Sequence, residues 1–410
     1  MKKLIYRIKR IYHFFKTGLL NGIPAQIRFN FPANKLKTIA ITGTDGKTTT
    51  STLVYHILNQ ANLKTGLVST IAAKIGDKEI DTGLHTTAPS PKELNLILKQ
   101  MVKEKCEHVV LEMTSHGVYQ YRDWGIKPSI AGLTNVSHEH LDYHLTYNDY
   151  IDAKCLLLKK APVAIINQDD KSFYRVKQRL DLKKQEVINY SLEEGIDKKI
   201  KQAIQKRFPE PYNQMNARLA VKVTQHLKIP DQKIAAAISN FPNVPGRTEE
   251  VNAGQLFRVI VDFAHTPNAL EQLLPHLKKQ VKKNGKLIAL FGATGLRDQS
   301  KRPIMGQIAA QYADLVVLTA DDSRTENTWA IIQQIKSGIT EKHNKILSIP
   351  NRYKAIELTL TKLAQPNDVV ALMGKGPEKS LAIGKKEIPW GDKIIATQII
   401  KEEKLDKNHD

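Results

Sequence analysis

In 410 residues the chain carries 62 lysines and arginines against 41 aspartates and glutamates, a formal net charge of +21, with 41% hydrophobic and 25% charged residues. That balance excludes a disordered chain and a membrane-embedded one, fits about two domains, and favours acidic partners: nucleotides, phosphorylated substrates, nucleic acid or an anionic membrane surface. Cys106 and Cys155 show neither metal-ligand spacing nor a disulfide framework, the usage expected of a reducing cytoplasm.

No acidic residue precedes Asp45, while Lys2, Lys3, Arg7, Lys9, Arg10 and Lys16 crowd the first turns. Leu4, Ile5, Ile8, Ile11, Tyr12, Phe15 and Leu19 recur at helical spacing, so residues 1–36 read as a basic amphipathic segment. Charges interrupt every span long enough to cross a bilayer, and Lys9 and Arg10 break any signal-peptide core. The simplest expectation is that the apolar stripe packs on the first domain. Contact of residues 1–20 with a membrane surface is the alternative.

Residues 39–50, IAITGTDGKTTT, follow as a β-branched run, a glycine loop and a helix start. Gly43 and Gly46, flanking Thr44 and Asp45, let backbone N–H groups turn toward phosphate oxygens. Lys47 supplies a point charge and Thr48 a hydroxyl for Mg²⁺, and the helix from Thr49 aims its positive end at the same anion. Ile41 stands where the standard P-loop has its first glycine, so this is a compact variant.

Apolar runs at 65–68, 109–113, 129–133 and 163–166 then read as strands of a mostly parallel buried sheet, with helices at 91–103 and 147–158 as crossovers. The lysine-rich stretch 171–207 is expected to hold short strands at the sheet's edge, and a helix over 213–227 closes the unit. Phe241–Gly246 punctuates the chain as a linker, placing a central domain at 37–243 and a smaller α/β domain at 244–410. In the latter, strands are expected at 257–261, 286–291, 314–319 and 368–373, with helices at 269–279 and 302–312. The polar motifs follow directly after these strands, where ligands bind in open α/β sheets.

Glu112 ends a buried strand one layer from the phosphate loop, a position suited to holding Mg²⁺. His138, His140 and His144 lack structural zinc spacing and have no cysteine among them. A histidine ligand to Mg²⁺ would be unusual, since that ion prefers oxygen.

The strings Thr42–Thr50, Glu112–His116, Thr134–His144 and Tyr150–Lys154 together resemble the Mur ligases. The likeness continues through Pro245–Glu249, Val261–Leu270, Leu296–Pro303, Asp321–Glu326 and Gly374–Glu378. It runs in order from about residue 37 to the C-terminus and is nearest to the tripeptide synthetases of the family. It implies a P-loop central domain with a mostly parallel sheet and a smaller Rossmann-like α/β C-terminal domain. The implied activity is ATP-dependent addition of an amino acid to a nucleotide-linked muramoyl peptide, through an acyl phosphate, in the cytoplasm.

The same resemblance implies roles. Lys47 and Thr48 would meet ATP phosphates; Glu112, His140 and a carbamylated Lys154 would join Thr48 at Mg²⁺; Asn213, Asn216, Arg247 and Asp262 would approach the nucleotide, with His265 in the same loop as Asp262. Thr86, Thr87, Thr114, Gln120 and Arg122 would hold the muramoyl substrate. Arg297, Asp321, Asp322, Ser323, Arg324, Gly374 and Glu378 would hold the incoming amino acid, where Arg324 could grip the distal carboxylate of meso-diaminopimelate.

Three departures stand out. The familiar Asp-Asn-Pro-Arg motif is here Asp321-Asp322-Ser323-Arg324, and the histidine of the last motif is Pro377. About 36 residues precede the core, too few for the separate UDP-binding domain with which the family usually starts. Rival readings are a same-family ligase acting on a folate-like or lipid-linked acceptor, and a basic nucleic-acid-binding P-loop NTPase. Dispersed cations, 6% aromatics and the lack of a nucleic-acid module count against the last.

Overall fold

The computed structural model describes residues 2–76, 78–80, 88–137, 139–339 and 345–407. They form two compact units: Met1–Ser137 with Leu141–Pro242, and His138–His140 with Asn243–Asp410.

The first unit is built on strands β1 (Lys37–Thr42), β2 (Thr65–Val68), β3 (Ala73–Ile75), β4 (Lys78–Ile80), β5 (His108–Glu112), β6 (Ile130–Leu133), β7 (Val163–Asn167) and β8 (Glu186–Tyr190), in the order β4-β3-β2-β5-β1-β6-β7-β8. Every residue of β2, β5, β6 and β7 is buried, the signature of parallel strands covered on both faces. The register sets Ile41 beside Glu112 and Thr42 beside Leu133, so the loops leaving β5, β1 and β6 emerge at one edge. Crossover helices begin where side chains can cap them. Ser90 and Glu93 form a capping box on Pro91–Lys103, and Thr146 accepts from Asp149 N on Tyr147–Leu158.

Two features differ from expectation. The stretch 171–207 holds one edge strand, β8, between helices Phe173–Lys177 and Lys198–Arg207. Its lysines face water, while Ile200, Ala203 and Ile204 are buried at helical spacing. The antiparallel pair β3 and β4 extends the opposite edge; three-residue strands are too short to show a period.

The second unit orders β13 (Ile346–Ser348), β12 (Leu315–Leu318), β11 (Leu287–Phe291), β14 (Val369–Met373), β10 (Arg258–Asp262) and β9 (Glu249–Val251) into one sheet, all parallel except β9. Separate apolar clusters cover its faces, one around Leu274, Phe291 and Met305, the other around Ile288, Ile356 and Leu372.

The N-terminal segment is helical throughout, as Lys2–His13, a π-helical stretch Phe14–Gly22, and Ile23–Phe29. It docks on the first unit, but not through the expected stripe. Tyr6 stacks on Tyr119 at 4.6 Å, Arg10 lies over the rings of Tyr119 and Tyr121, Phe14 meets Trp124 edge-on, and Gln26 donates to Trp124 O at 3.0 Å. Leu4, Ile5, Ile8, Ile11, Tyr12 and Phe15 remain exposed. The polar-aromatic face won because Tyr6 and Gln26 find buried partners there. Gly18 and Gly22 permit the close approach, since a Cβ at either would lie 2.6 Å from the Trp124 ring. Gly22→Leu should therefore lower stability by about 1–3 kcal/mol through overpacking, read as a fall in Tm, while Ile8→Ser on the exposed face should leave Tm nearly unchanged.

Candidate active site

The loop leaving β1 is held from behind. Thr44 N donates to Asn135 O, Asp45 N to Asn135 Oδ1, and Thr134 Oγ1 to Asp45 O, at 2.9, 3.0 and 2.6 Å. Gly43 and Gly46 adopt φ of 153° and 80°. A Cβ on Gly46 would sit 2.0 Å from Asn216 Oδ1, and one on Gly43 1.7 Å from Thr134 Oγ1, so both glycines are required by space as well as by conformation. Asn216 donates to Asn213, which donates to Glu210; the two asparagines thus brace the loop. Lys47 Nζ donates to Thr44 O at 2.6 Å, and Thr49 is buried in the first turn of the helix that starts at Lys47.

Glu112 is 1% exposed. It accepts from Thr48 Oγ1 at 3.0 Å, Thr70 Oγ1 at 2.8 Å and Thr70 N at 2.9 Å. No lysine or arginine among the described residues pairs with it. A buried carboxylate next to a threonine hydroxyl is an all-oxygen donor set, which fits a hard divalent cation. Lys154 is buried rather than solvent-facing; its Nζ donates to Gly43 O at 2.6 Å and lies 4.3 Å from the Tyr150 ring centroid. His140 groups with the second unit, its Nδ1 3.9 Å from Glu139 Oε1. Glu139 in turn accepts from Lys301, which also donates to His265 O.

Beside the loop, Thr114 caps the short helix Ser115–Tyr119. Arg122 donates to Gln120 Oε1 at 3.1 Å and to Ala88 O at 2.7 Å, and Gln120 donates to Tyr143 OH at 3.0 Å. Thr86 and Thr87 lie outside the described residues. Behind this wall, His144 bridges Tyr6 OH at 2.8 Å and Ser115 Oγ at 3.0 Å. Burial, then His116 and Lys154, push its pKa down to about 2.

In the second unit Asp262 accepts from Thr248 N at 2.6 Å and Ala264 N at 2.7 Å, with burial raising its pKa against the pull of Arg247. Arg247 lies 4.6 Å from the Phe263 ring centroid. The loops after β12 and β14 converge on Lys375. Its ammonium reaches Asp322 Oδ1 at 2.7 Å, Glu378 Oε2 at 2.6 Å and Asp321 Oδ1 at 4.0 Å. Burial alone would lower its pKa, but Asp321, Glu378 and Asp322 outweigh burial and raise it. The three carboxylates have metal-like spacing, yet the lysine already sits among them. Gly374, at φ 107°, lets β14 turn past Asp321, and Ser323 is buried beneath Gly295. Arg324, at φ 52°, donates its N–H to Ala382 O. Its guanidinium makes no hydrogen bond or ion pair among the described residues. Arg297 is exposed on the neighbouring loop.

Sequence reading missed three buried cations that shape these loops. Lys375 lies within the Gly374–Glu378 motif but was not singled out. Arg302 clamps Glu326 through both nitrogens and donates to Thr294 O. Arg352, fully buried on Asp392, donates to Ala320 O and Met373 O at 3.0 Å each. The missing signal is distance along the chain, since each cation meets carboxylates or carbonyls that only folding brings near.

Lys375→Met should cost about 3–5 kcal/mol by leaving buried carboxylates without their cation, measured as a large fall in Tm. His144 supplies a pH test. Its folded pKa lies below its unfolded value, so its neutral burial costs nothing above pH 6.5 and destabilises below it. Stability should fall by about 1.4 kcal/mol per pH unit on its account as pH drops below 6.5, and His144→Gln should flatten that slope in denaturant titrations.

Residues 41–228 match the model described as Mur ligase middle domain, and residues 246–376 the one described as Mur ligase, glutamate ligase domain. The UDP-N-acetylmuramoyl-L-alanyl-D-glutamate--2,6-diaminopimelate ligase 1 of Clostridium acetobutylicum is 36% identical over 395 residues, covering 91% of this chain and 80% of that protein. The ligase of the same description from Caldanaerobacter subterraneus is 37% identical over 394 residues, covering 91% and 80%. A solved structure of a UDP-N-acetylmuramoyl-L-alanyl-D-glutamate--2,6-diaminopimelate ligase superposes with a TM-score of 0.57 at 28% identity, covering 94% of this chain and 82% of that one. The Mycobacterium tuberculosis folylpolyglutamate synthase superposes at 0.71 with 16% identity, covering 89% and 96%, a likeness of fold alone. With such identity across about nine-tenths of its length, and with the braced phosphate loop and the Lys375-centred loops in matching regions, the chain belongs to the Mur ligase family.

Proposed function

We propose that this chain is an ATP-dependent, ADP-forming ligase. It would add meso-diaminopimelate to UDP-N-acetylmuramoyl-L-alanyl-D-glutamate through an acyl phosphate, in peptidoglycan precursor synthesis. The similarity to ligases so named supports the reaction. Arg324 supports the amino acid: it is a cation with no partner among the described residues, beside a cluster whose carboxylates Lys375 already engages. Diaminopimelate differs from lysine by one distal carboxylate, and a guanidinium can bind that group bidentately.

In this reading Gly43, Thr44, Asp45, Gly46, Lys47, Thr48 and Thr49 cradle the ATP phosphates, with Asn213 and Asn216 bracing them. Arg247 and Asp262 are the nucleotide-facing candidates of the second unit. Thr48 and Glu112, and on the resemblance His140 and a carbamylated Lys154, are the proposed ligands of Mg²⁺, which when bound supplies positive charge to phosphate oxygens. Lys47 neutralises charge building on the transferred phosphoryl group, and the fixed loop N–H groups stabilise it without reorganising. The substrate carboxylate attacks the γ-phosphate, and the incoming amine displaces phosphate from the acyl phosphate. Thr86, Thr87, Thr114, Gln120 and Arg122 position the muramoyl peptide, and Arg297, Asp321, Asp322, Ser323, Arg324, Gly374 and Glu378 shape the amino-acid pocket.

The test is phosphate release with ATP, UDP-muramoyl-dipeptide and a panel of amino acids. Diaminopimelate should exceed lysine, and Arg324→Ala should reduce its kcat/KM by roughly thirty- to a thousand-fold, an effect of about 2–4 kcal/mol, with little change for lysine. Equal use of both amino acids by the parent chain would refute the assignment of Arg324. Release that requires a pteroyl-glutamate acceptor instead would move the chain to the folate-type reading.

A further inference from the structure

The N-terminal helix has a docked polar-aromatic face and an exposed apolar one. Successive residues turn by about 100°, which puts Tyr6, Arg10 and Phe14 on one side of Lys2–His13 and its extension, and Leu4, Ile8, Ile11 and Phe15 on the other. The first set is docked on Tyr119, Tyr121 and Trp124. The second is exposed, with Leu4 at 63%, Ile8 at 54%, Ile11 at 56% and Phe15 at 54%. Further along the same segment Leu20, Ile23 and Ile27 are exposed as well. A row of this length is unusual on a soluble surface and marks an interaction site.

Charge identifies the occupant. Arg7 edges the stripe on one side, and Lys9 and Lys16 on the other, and none of these three forms an ion pair among the described residues. No acidic residue occurs before Asp45. An apolar row with cations on both sides complements a surface that is apolar below and anionic above, as a lipid leaflet is. It complements a second copy of itself poorly, because like charges would oppose one another.

We propose that the face formed by Leu4, Ile8, Ile11 and Phe15 with Arg7, Lys9 and Lys16 lies in the plane of an anionic membrane surface, while the opposite face keeps the helix attached to the first unit. Buried hydrogen bonds hold the attachment: Tyr119 OH donates to Tyr6 O at 2.7 Å, besides the Tyr6–His144 bond. The leaflet would then lie next to the Gln120–Tyr143 wall. This inference does not rest on the ligase reading, since binding is read without catalysis.

Flotation of the full chain with phosphatidylcholine vesicles, with or without phosphatidylglycerol, tests it. Binding should require the anionic lipid and weaken steeply with salt. Ile8→Asp with Phe15→Asp should reduce it by about tenfold or more, and Lys9→Glu with Lys16→Glu by at least about tenfold. Because all four side chains are exposed, Tm should stay at the parent level. Failure to float with anionic vesicles, or equal binding to neutral ones, would overturn the proposal. So would a concentration-dependent dimer that Ile8→Asp dissolves, which would assign the face to a second copy.

Discussion

A charge taken out of water must find an opposite charge or a set of hydrogen bonds within reach, and the two candidate sites meet this demand in opposite ways. In the second unit the compensation is internal. Lys375 lies among Asp321, Asp322 and Glu378, Arg352 is buried on Asp392, and Arg302 is clamped to Glu326. These pairs tie together the loops that follow β11, β12 and β14. In the first unit, Glu112 has hydrogen bonds but no cation among the described residues. One site holds its buried carboxylates on cations of the same unit; the other has a buried anionic group suited to an incoming cation.

Parallel strands make both arrangements available. A parallel sheet buried on both faces can place polar groups only at its ends. The β5-β1-β6 register brings Glu112, the glycine loop and Thr134 to one edge, and the β12-β11-β14 neighbours do the same for Asp321, Gly292 and Gly374. Asp322 shows how a changed motif residue can be accommodated. Its carboxylate accepts from both Lys375 and Ala382 N, so the motif's departure at this position is absorbed by a cation the loop already contains.

The N-terminal helix couples two surfaces with different demands. Its docked face is aromatic and polar, with Tyr6 and Gln26 hydrogen-bonded, and it reaches His144 behind the Gln120–Tyr143 wall. Its exposed face is apolar, formed by Leu4, Ile8, Ile11 and Phe15, with cations on either side. Glycines at 18 and 22 let one face come close to Trp124 without changing the other.

Much of this was legible in the chain itself. The phosphate loop, the fully buried strands and the capped helices Pro91–Lys103 and Tyr147–Leu158 are specified by local chemistry: glycine conformation, β-branched runs and capping side chains act within a few residues. The amphipathic character of residues 4–19 was equally local. Tertiary structure alone decided which face of that helix is buried, because the choice depends on Tyr119, Tyr121, Trp124 and His144, more than a hundred positions away. It likewise decided that Lys154 is buried against Gly43, that Lys375 neutralises Asp322 across 53 positions, and that β8 is a lone edge strand between helices. Periodicity records a residue's preference for water or for a core; which partner a buried charge or ring will meet is set by chain crossings that no local pattern contains.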